Sequence, residues 1–164
     1  MAFSRAICNR AAKALELARG KGMRLACAES CTGGLVAAAL TEIPDSSDTF
    51  AGGIASYMLD VKEHVLGVSP RILYEDGRGA VSSECAEAMA EGAVRVMRAD
   101  FAISVTGIAG PGGAEPGKPV GTVWFGWTGP DGTSSECALF SGSRSEVRAR
   151  ALARALDIMC ERLA

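Results

Sequence analysis

The sequence FAISVTGIAGPGGAEPGKP, residues 101–119, decides the fold of this 164-residue chain. Its first seven residues are apolar and β-branched, a composition that predicts a buried strand. The next twelve residues include four glycines and three prolines, which predict a loop. A buried strand that ends in a glycine-rich loop is typical of α/β domains, in which the loops at the carboxyl ends of the strands bind ligands.

Helical and strand patterns alternate on both sides of this segment. Helices are predicted at residues 4–19, 35–40 and 83–98, with a helical turn through Lys62 and a last helix opening at the capping box Ser143–Glu146. Strands are predicted at residues 23–29, 50–57, 101–107, 120–127 and 134–140, with a hairpin turn at TGPDGT (128–133) and an irregular stretch at 67–79. We therefore predict one α/β domain over residues 1–164, with three layers (α/β/α) and a mixed parallel and antiparallel sheet.

The composition is that of an ordinary globular protein. Hydrophobic residues make up 48% of the chain, and the net charge of −2 gives no general attraction to nucleic acid. Arg5, Asn9 and Arg10 interrupt the first ten residues, so we expect no signal peptide. No apolar run approaches the roughly 20 residues that a membrane-spanning helix needs. We expect a cytoplasmic protein that contacts neither membrane nor nucleic acid.

The scarcity of histidine excludes several kinds of site. His64 is the only histidine, which rules out a Cys2His2 finger, a three-histidine zinc site and an HExxH protease. A Ser-His-Asp triad would need His64 as its base. The six cysteines contain no CxxC pair, which favours small buried side chains in a reducing compartment over a disulfide framework.

Two glycine-rich loops follow predicted strands, SCTGG at 30–34 and GIAGPGG at 107–113. Such loops expose backbone N–H groups that bind a phosphate, a carboxylate or an oxyanion. Neither loop is a Walker motif or a GxGxxG motif. Each could also be a tight turn that needs glycine for a positive φ, but two in one small domain favour a binding cleft.

The first loop carries candidate nucleophiles at a strand-to-helix turn. Ser30, Cys31 and Thr32 offer hydroxyl or thiol groups there, although Ser30 and Thr32 are also good helix caps. A hydroxyl nucleophile needs a base, which arginine cannot supply at neutral pH and a desolvated lysine can. Of the four lysines, Lys62 and Lys118 lie next to the predicted cleft.

Five motifs together resemble the CinA C-terminal domain family. They are AESCTGG (28–34), Tyr57-x4-Lys62, GAVSSE (79–84), TGIAGPGG (106–113) and KPVGTVWF (118–125). They cover nearly the whole chain in order and spacing. The active members of this family are nicotinamide-nucleotide amidohydrolases, also called NMN deamidases or PncC. Larger CinA proteins add an N-terminal pyrophosphatase domain, for which 164 residues leave no room, so we expect the stand-alone amidohydrolase form.

The resemblance implies hydrolysis of the carboxamide of nicotinamide mononucleotide (NMN) to nicotinate mononucleotide and ammonia, without a metal or a cofactor. It makes Ser30 the nucleophile, Lys62 its general base and Tyr57 a hydrogen-bonding helper. It places the substrate against Thr32, Gly33, Gly34, Thr106, Gly107, Ala109, Gly110 and Arg144, with Arg144 at the phosphate. We also expect a homo-oligomer, with a dimer favoured.

One departure from the family pattern keeps other functions open. Family members often read Y-S-N-x-x-K where this chain has Met58-Leu59 after Tyr57, which removes any substrate hydrogen bond from those two positions. An amidase for a related nucleotide amide, or a non-catalytic nucleotide-binding or regulatory protein, therefore remains an alternative. Cys31 is an alternative nucleophile that would have to rely on His64.

Glu29 and the two tryptophans have open roles as well. Glu29 either orients Lys62 or substrate, or forms a structural hydrogen bond at the end of its strand. Trp124 and Trp127 are three apart on a predicted strand and should face opposite sides of the sheet, in the core or at an oligomer interface.

Overall fold

The structure, a computed structural model, describes residues 3–75 and 77–164, so positions 1, 2 and 76 of the predicted 1–164 domain lie outside it. The helices are α1 (Arg5–Gly20), α2 (Leu35–Thr41), α3 (Leu59–His64), α4 (Ser83–Met97) and α5 (Arg144–Leu163). The strands are β1 (Leu25–Glu29), β2 (Phe50–Ala55), β3 (Phe101–Gly107), β4 (Thr122–Gly129) and β5 (Gly132–Leu139).

The five strands form one sheet in the order β2-β1-β3-β4-β5. Strand β1 runs parallel to β2 and β3, whereas β4 and β5 are antiparallel to their neighbours. The carboxyl ends of β1 and β3 therefore meet at one edge, where the N–H of Ser30 donates to the carbonyl of Val105 over 2.8 Å. The predicted mixed sheet is confirmed, and its edge brings the two glycine-rich loops together.

Helices cover both faces of the sheet. Alternate residues of β1 divide between them, because successive strand side chains point to opposite faces. Leu25 and Cys27 pack in the core formed with α1, α2 and α5, whereas Ala26 and Ala28 pack against α4. The three-layer prediction is thus confirmed.

The two tryptophans of β4 lie on opposite faces, as predicted. Trp127 is buried in the larger core, and the Arg162 guanidinium lies 4.5 Å from its ring centre, within the range of a cation–π contact. Trp124 is half-buried beside Ser83 at the start of α4.

Helix α4 lies very close to the sheet. The Ser104 hydroxyl donates to the carbonyl of Ala86 and accepts the N–H of Gly126 over 3.2 Å. A Cβ at position 126 would overlap that same carbonyl. Glycine is therefore needed here for close approach, and this contact fixes α4, whose first turn borders the site described below.

Two predicted connections between the elements differ from the structure. Residues 67–79, predicted as irregular, contain a π-helical turn at Arg71–Glu75, because Leu73 is apolar and packs into the core beneath α4. The predicted six-residue hairpin turn is also too long. Both strands extend through the glycines at 129 and 132, which leaves only Pro130 and Asp131 between them.

The six cysteines are free, and Cys27, Cys31 and Cys85 are buried as small apolar side chains. Cys137 is exposed, so the prediction of mostly buried thiols holds for three of the six. Among residues 3–75 and 77–164, no helix combines the length and the apolar character that crossing a membrane requires.

Candidate active site

Ser30 and Lys62 meet at the sheet edge although 32 residues separate them. Ser30 follows the last residue of β1, and Lys62 lies on the short helix α3 that follows β2. The Lys62 ammonium nitrogen lies 3.0 Å from Ser30 Oγ and also donates to the carbonyl of Ser56. The N–H of Ser56 in turn donates to the carbonyl of Glu29 over 2.7 Å, which ties the two segments together.

Lys62 is buried without an acidic partner. Its residue exposure is 1%, and none of the salt bridges formed by the described residues includes it. Burial lowers its pKa from the ordinary value of 10.5, and the nearby thiols of Cys85 and Cys31 oppose this to a smaller extent. The fold therefore favours a neutral amine, which is the form that accepts a proton from a hydroxyl.

The other candidate bases lie elsewhere. His64 is exposed, and its Nδ1 lies 2.9 Å from the carbonyl of Asp60, on its own helix. Lys118 contacts Glu115 at 3.1 Å and the carbonyl of Arg78. Of the basic side chains singled out in the sequence, the structure brings Lys62 to Ser30 and holds His64 and Lys118 in other contacts.

The turn after Ser30 is held by a buried carboxylate. Glu29, 1% exposed, accepts the N–H groups of Gly34 (3.0 Å), Val36 (3.1 Å) and Ala37 (2.9 Å). Gly34 and Gly33 have φ of 98° and 61°, which only glycine adopts readily. Of the two roles left open for Glu29, the structure shows hydrogen bonds to its own turn, at the end of its strand.

Cys31 and Thr32 are buried beside the nucleophile candidate. Arg148 donates to both of their carbonyls, at 3.0 and 2.8 Å. The Thr32 hydroxyl has no hydrogen-bond partner in the described part of the chain. The main-chain N–H groups of Cys31 and Thr32 donate to no main-chain carbonyl in that part of the chain, and the N–H of Cys31 lies against its own thiol. Three polar groups next to Ser30 are thus available to a ligand.

The Cys31 thiol itself is poorly suited to nucleophilic attack. Burial raises its pKa to about 11, an effect larger than the opposing influence of Arg148 and Lys62. A thiol with such a pKa is almost entirely protonated at neutral pH, whereas the thiolate is the reactive form.

The second glycine-rich loop lies across the edge from Ser30. The Thr106 hydroxyl donates to the carbonyl of Ala80 over 2.7 Å, and Gly107 pairs with Val123 in the sheet. Ala109 is buried.

Arg144, at the start of α5, joins that loop to the segment after β2. Its Nη1 donates to the carbonyl of Gly110 (2.9 Å) and its Nη2 to the hydroxyl of Tyr57 (3.0 Å). Tyr57 is 60% exposed, and its hydroxyl makes no hydrogen bond to Ser30 or Lys62 among the bonds of the described residues. The structure therefore pairs Tyr57 with Arg144 at the surface and Ser30 with the buried Lys62.

Sequence reasoning missed two contributors to this site. The main-chain carbonyl of Ser56 accepts a hydrogen bond from Lys62. Every residue has such a carbonyl, so no residue type in the sequence could indicate this role. Arg148 holds the turn after Ser30 from α5. Its spacing of four residues from Arg144 places both on one helix face, and that was the available signal.

Comparison with known proteins gives a consistent family. The CinA C-terminal domain matches residues 8–163. The CinA-like protein of Desulfotalea psychrophila is 48% identical over 139 residues, which cover 85% of this chain and 33% of that protein. The CinA-like protein of Geobacter sulfurreducens is 45% identical, over 90% of this chain and 35% of that protein. The chain spans about a third of the length of the curated relatives it matches.

Solved structures agree over the whole fold. The competence/damage inducible protein CihA from Agrobacterium tumefaciens is 38% identical with a TM-score of 0.90, and the match covers 96% of each chain. The CinA superfamily protein from Enterobacter cloacae is 32% identical with a TM-score of 0.92, covering 100% of this chain and 96% of that one. This chain belongs to the CinA C-terminal domain family.

Proposed function

We propose that the chain hydrolyses the carboxamide of NMN to nicotinate mononucleotide and ammonia, with Ser30 as nucleophile and Lys62 as general base. The observation that carries the proposal is the buried Lys62 amine, which lies 3.0 Å from Ser30 Oγ and has no acidic partner among the described residues. A general base must lie within hydrogen-bond reach of the proton that it takes, and its pKa must approach the working pH. Lys62 meets the first condition, and burial moves it toward the second.

Acylation uses both residues. Neutral Lys62 takes the proton of Ser30 Oγ as that oxygen attacks the carboxamide carbon, which forms a tetrahedral oxyanion. Lys62 then returns the proton to the amide nitrogen, the C–N bond breaks and ammonia leaves. A nicotinoyl ester remains on Ser30.

The oxyanion needs hydrogen-bond donors that are fixed before the reaction. The N–H groups of Cys31 and Thr32 donate to no main-chain carbonyl within residues 3–75 and 77–164, and they directly follow the nucleophile. In other hydrolases with a nucleophile on a strand-to-helix turn, the N–H of the next residue plays this part. We assign the oxyanion to these two groups.

Deacylation repeats the cycle with water. Lys62 takes a proton from the water molecule that attacks the ester and returns it to Ser30 Oγ as the acid product leaves. Arg144 at the surface supplies the positive charge for the phosphate, and Thr106 and residues 107–113 form the wall beside it. Tyr57 orients Arg144 through their 3.0 Å hydrogen bond.

The test is the turnover of NMN, followed as ammonia and nicotinate mononucleotide. The wild type should release both in equal amounts, and Lys62→Met should lower kcat by about 10²–10⁴-fold, the usual contribution of a general base. Lys13→Met is the matched control, because Lys13 is an exposed lysine on α1 paired only with Glu16. Binding of NMN without turnover by the wild type would contradict the proposal and favour a regulatory nucleotide-binding protein.

The exposed apolar side chains after Tyr57 favour a second candidate substrate class. Met58 is 64% exposed and Leu59 lies beside it, where relatives often carry Ser-Asn. An apolar patch next to Tyr57 suits an amide that carries an apolar group in place of a polar one. A higher kcat/KM for such a nucleotide amide than for NMN would select this candidate, and the reverse order would select NMN.

A further inference from the structure

We propose that Glu29 is a positioning residue for the nucleophile. Its buried carboxylate holds the turn from Ser30 to Gly34 in the conformation that points Ser30 Oγ at Lys62. It also leaves the N–H groups of Cys31 and Thr32 without a main-chain acceptor, for the substrate. This inference rests on the proposed Ser30 and Lys62 chemistry and adds a residue that touches neither substrate nor Lys62.

Glu29 replaces the missing cap of helix α2. The N-cap residue of α2 is Gly34, which has no side chain to accept the first N–H groups. The Glu29 carboxylate reaches forward from the end of β1 and accepts three of them, at Gly34, Val36 and Ala37. Ser30 thus lies between β1 and α2, and the Glu29 side chain links this strand to this helix.

The main-chain bonds of the turn complete the restraint. The N–H of Ser30 donates to Val105 on β3, and the N–H of Gly33 donates back to the carbonyl of Ser30 over 3.1 Å. Arg148 donates to the carbonyls of Cys31 and Thr32, the two residues between Ser30 and Gly33. The Glu29 side chain fixes the far end of the turn, because the N–H groups that donate to it begin at Gly34.

The same contacts determine which N–H groups near Ser30 are already hydrogen-bonded. The first turn of α2 gives its donors to Glu29, so this helix end is already occupied by a negative charge and is not the anion site. Cys31 and Thr32 lie before that turn, and their N–H groups donate to no main-chain carbonyl within the described residues. The carboxylate therefore decides which donors face the nucleophile.

A glutamine cannot reproduce this arrangement. Glu29 Oε2 accepts from Gly34 and Val36, and Oε1 accepts from Ala37 and, at 3.5 Å, from the Cys27 thiol. Glutamine has nearly the same shape, but its NH2 group would face N–H donors in place of one of these oxygens. Glu29→Gln thus keeps the packing and removes one of the two acceptor oxygens.

The experiment compares Glu29→Gln with wild type and with Ser104→Ala. Ser104→Ala is the matched control, because it removes two buried hydrogen bonds, one from β3 to the carbonyl of Ala86 on α4 and one within the sheet from the N–H of Gly126. Three quantities are measured: kcat and KM for NMN, the pH–rate profile, and the rate at which a small fluorophosphonate labels Ser30. In the labelling reaction Ser30 Oγ displaces fluoride from phosphorus and Lys62 takes the hydroxyl proton, so this readout does not depend on the natural substrate.

We expect Glu29→Gln to lower kcat and the labelling rate together by about 10–100-fold, the effect of misplacing a reacting atom by about an ångström. KM should stay near the wild-type value, and the midpoint of the rising pH limb should not move. Ser104→Ala should lose melting temperature but keep kcat and labelling. If Glu29 had only a structural role, Glu29→Gln would behave like Ser104→Ala: it would lower the melting temperature and keep kcat and the labelling rate.

Different results would contradict the positioning role of Glu29 and the proposed amidase activity. Wild-type kcat and labelling in Glu29→Gln, with active wild type, would overturn the positioning role and leave the amidase intact. A labelled Ser30 without NMN turnover would overturn the amidase, and slower labelling of Glu29→Gln would still support the positioning role. A shift of the pH midpoint in Glu29→Gln would overturn positioning in favour of a charge effect on Lys62.

Discussion

Replacing Lys62 with methionine should change how stability depends on pH. Burial lowers the pKa of Lys62 on folding, so between its folded pKa and 10.5 the unfolded chain binds a proton that the native chain does not. The free energy of unfolding therefore rises with pH through that window. Below the folded pKa both states are protonated, and the cost of burying the ammonium is fully present.

The magnitude follows from one buried amine without an acidic partner. One proton gives a slope of at most about 1.4 kcal/mol per pH unit within the window, and each unit of pKa depression costs about 1.4 kcal/mol below it. In Lys62→Met both effects disappear. The loss of the hydrogen bonds to Ser30 and Ser56 adds a constant that does not depend on pH.

The assay is denaturant unfolding of wild type and Lys62→Met from pH 6 to pH 10.5. The buried thiols of Cys27, Cys31 and Cys85 have raised pKa values and reduce stability at high pH, and Lys62 lowers the pKa of Cys31 and Cys85. Both proteins therefore carry Cys31→Ala and Cys85→Ala, and the difference between the proteins is the quantity to follow. Wild-type stability relative to Lys62→Met should increase with pH. A flat difference, or one that falls as pH rises, would refute the account of Lys62 as a base made neutral by burial.

Three other outcomes are expected. Iodoacetamide at neutral pH should leave NMN turnover unchanged, because the Cys31 thiol is buried with a pKa near 11, and inactivation that maps to Cys31 would refute this. Gly126→Ala should lower the free energy of unfolding by about 1–3 kcal/mol, because its Cβ meets the Ala86 carbonyl. Urea unfolding tests this against Gly20→Ala, where a Cβ meets nothing within 4 Å. His64→Ala should keep the wild-type kcat, since His64 is exposed and its hydrogen bond is to the Asp60 carbonyl on its own helix, and a large loss would make it part of the mechanism.

The fold could be predicted because its strongest signals are local. The apolar β-branched run of β3 and the glycines after it lie where the sequence places them. The capping box of Ser143 and Glu146 opens α5 with both of its hydrogen bonds formed. The π-helical turn at Arg71–Glu75 could not be predicted, because its support is the packing of Leu73 under α4, a contact between distant segments.

The candidate site was predictable in its residue types and not in its geometry. The assignment of Lys62 as the base for Ser30 followed from the family motifs, because the residues alone left His64, Lys62 and Lys118 as candidates. The 3.0 Å contact depends on the parallel pairing of β1 with β2 and on a main-chain acceptor at Ser56, neither of which has a side-chain signal. The role of Glu29 was equally hidden, because its partners are N–H groups up to eight residues later.

The most direct test of the central claim is the rate of ammonia release from NMN by wild type and by Ser30→Ala, with binding of NMN measured on both. The account predicts turnover by the wild type, loss of nearly all turnover in Ser30→Ala, and retained binding of NMN by the variant. Equal rates of ammonia release from the two proteins would contradict it.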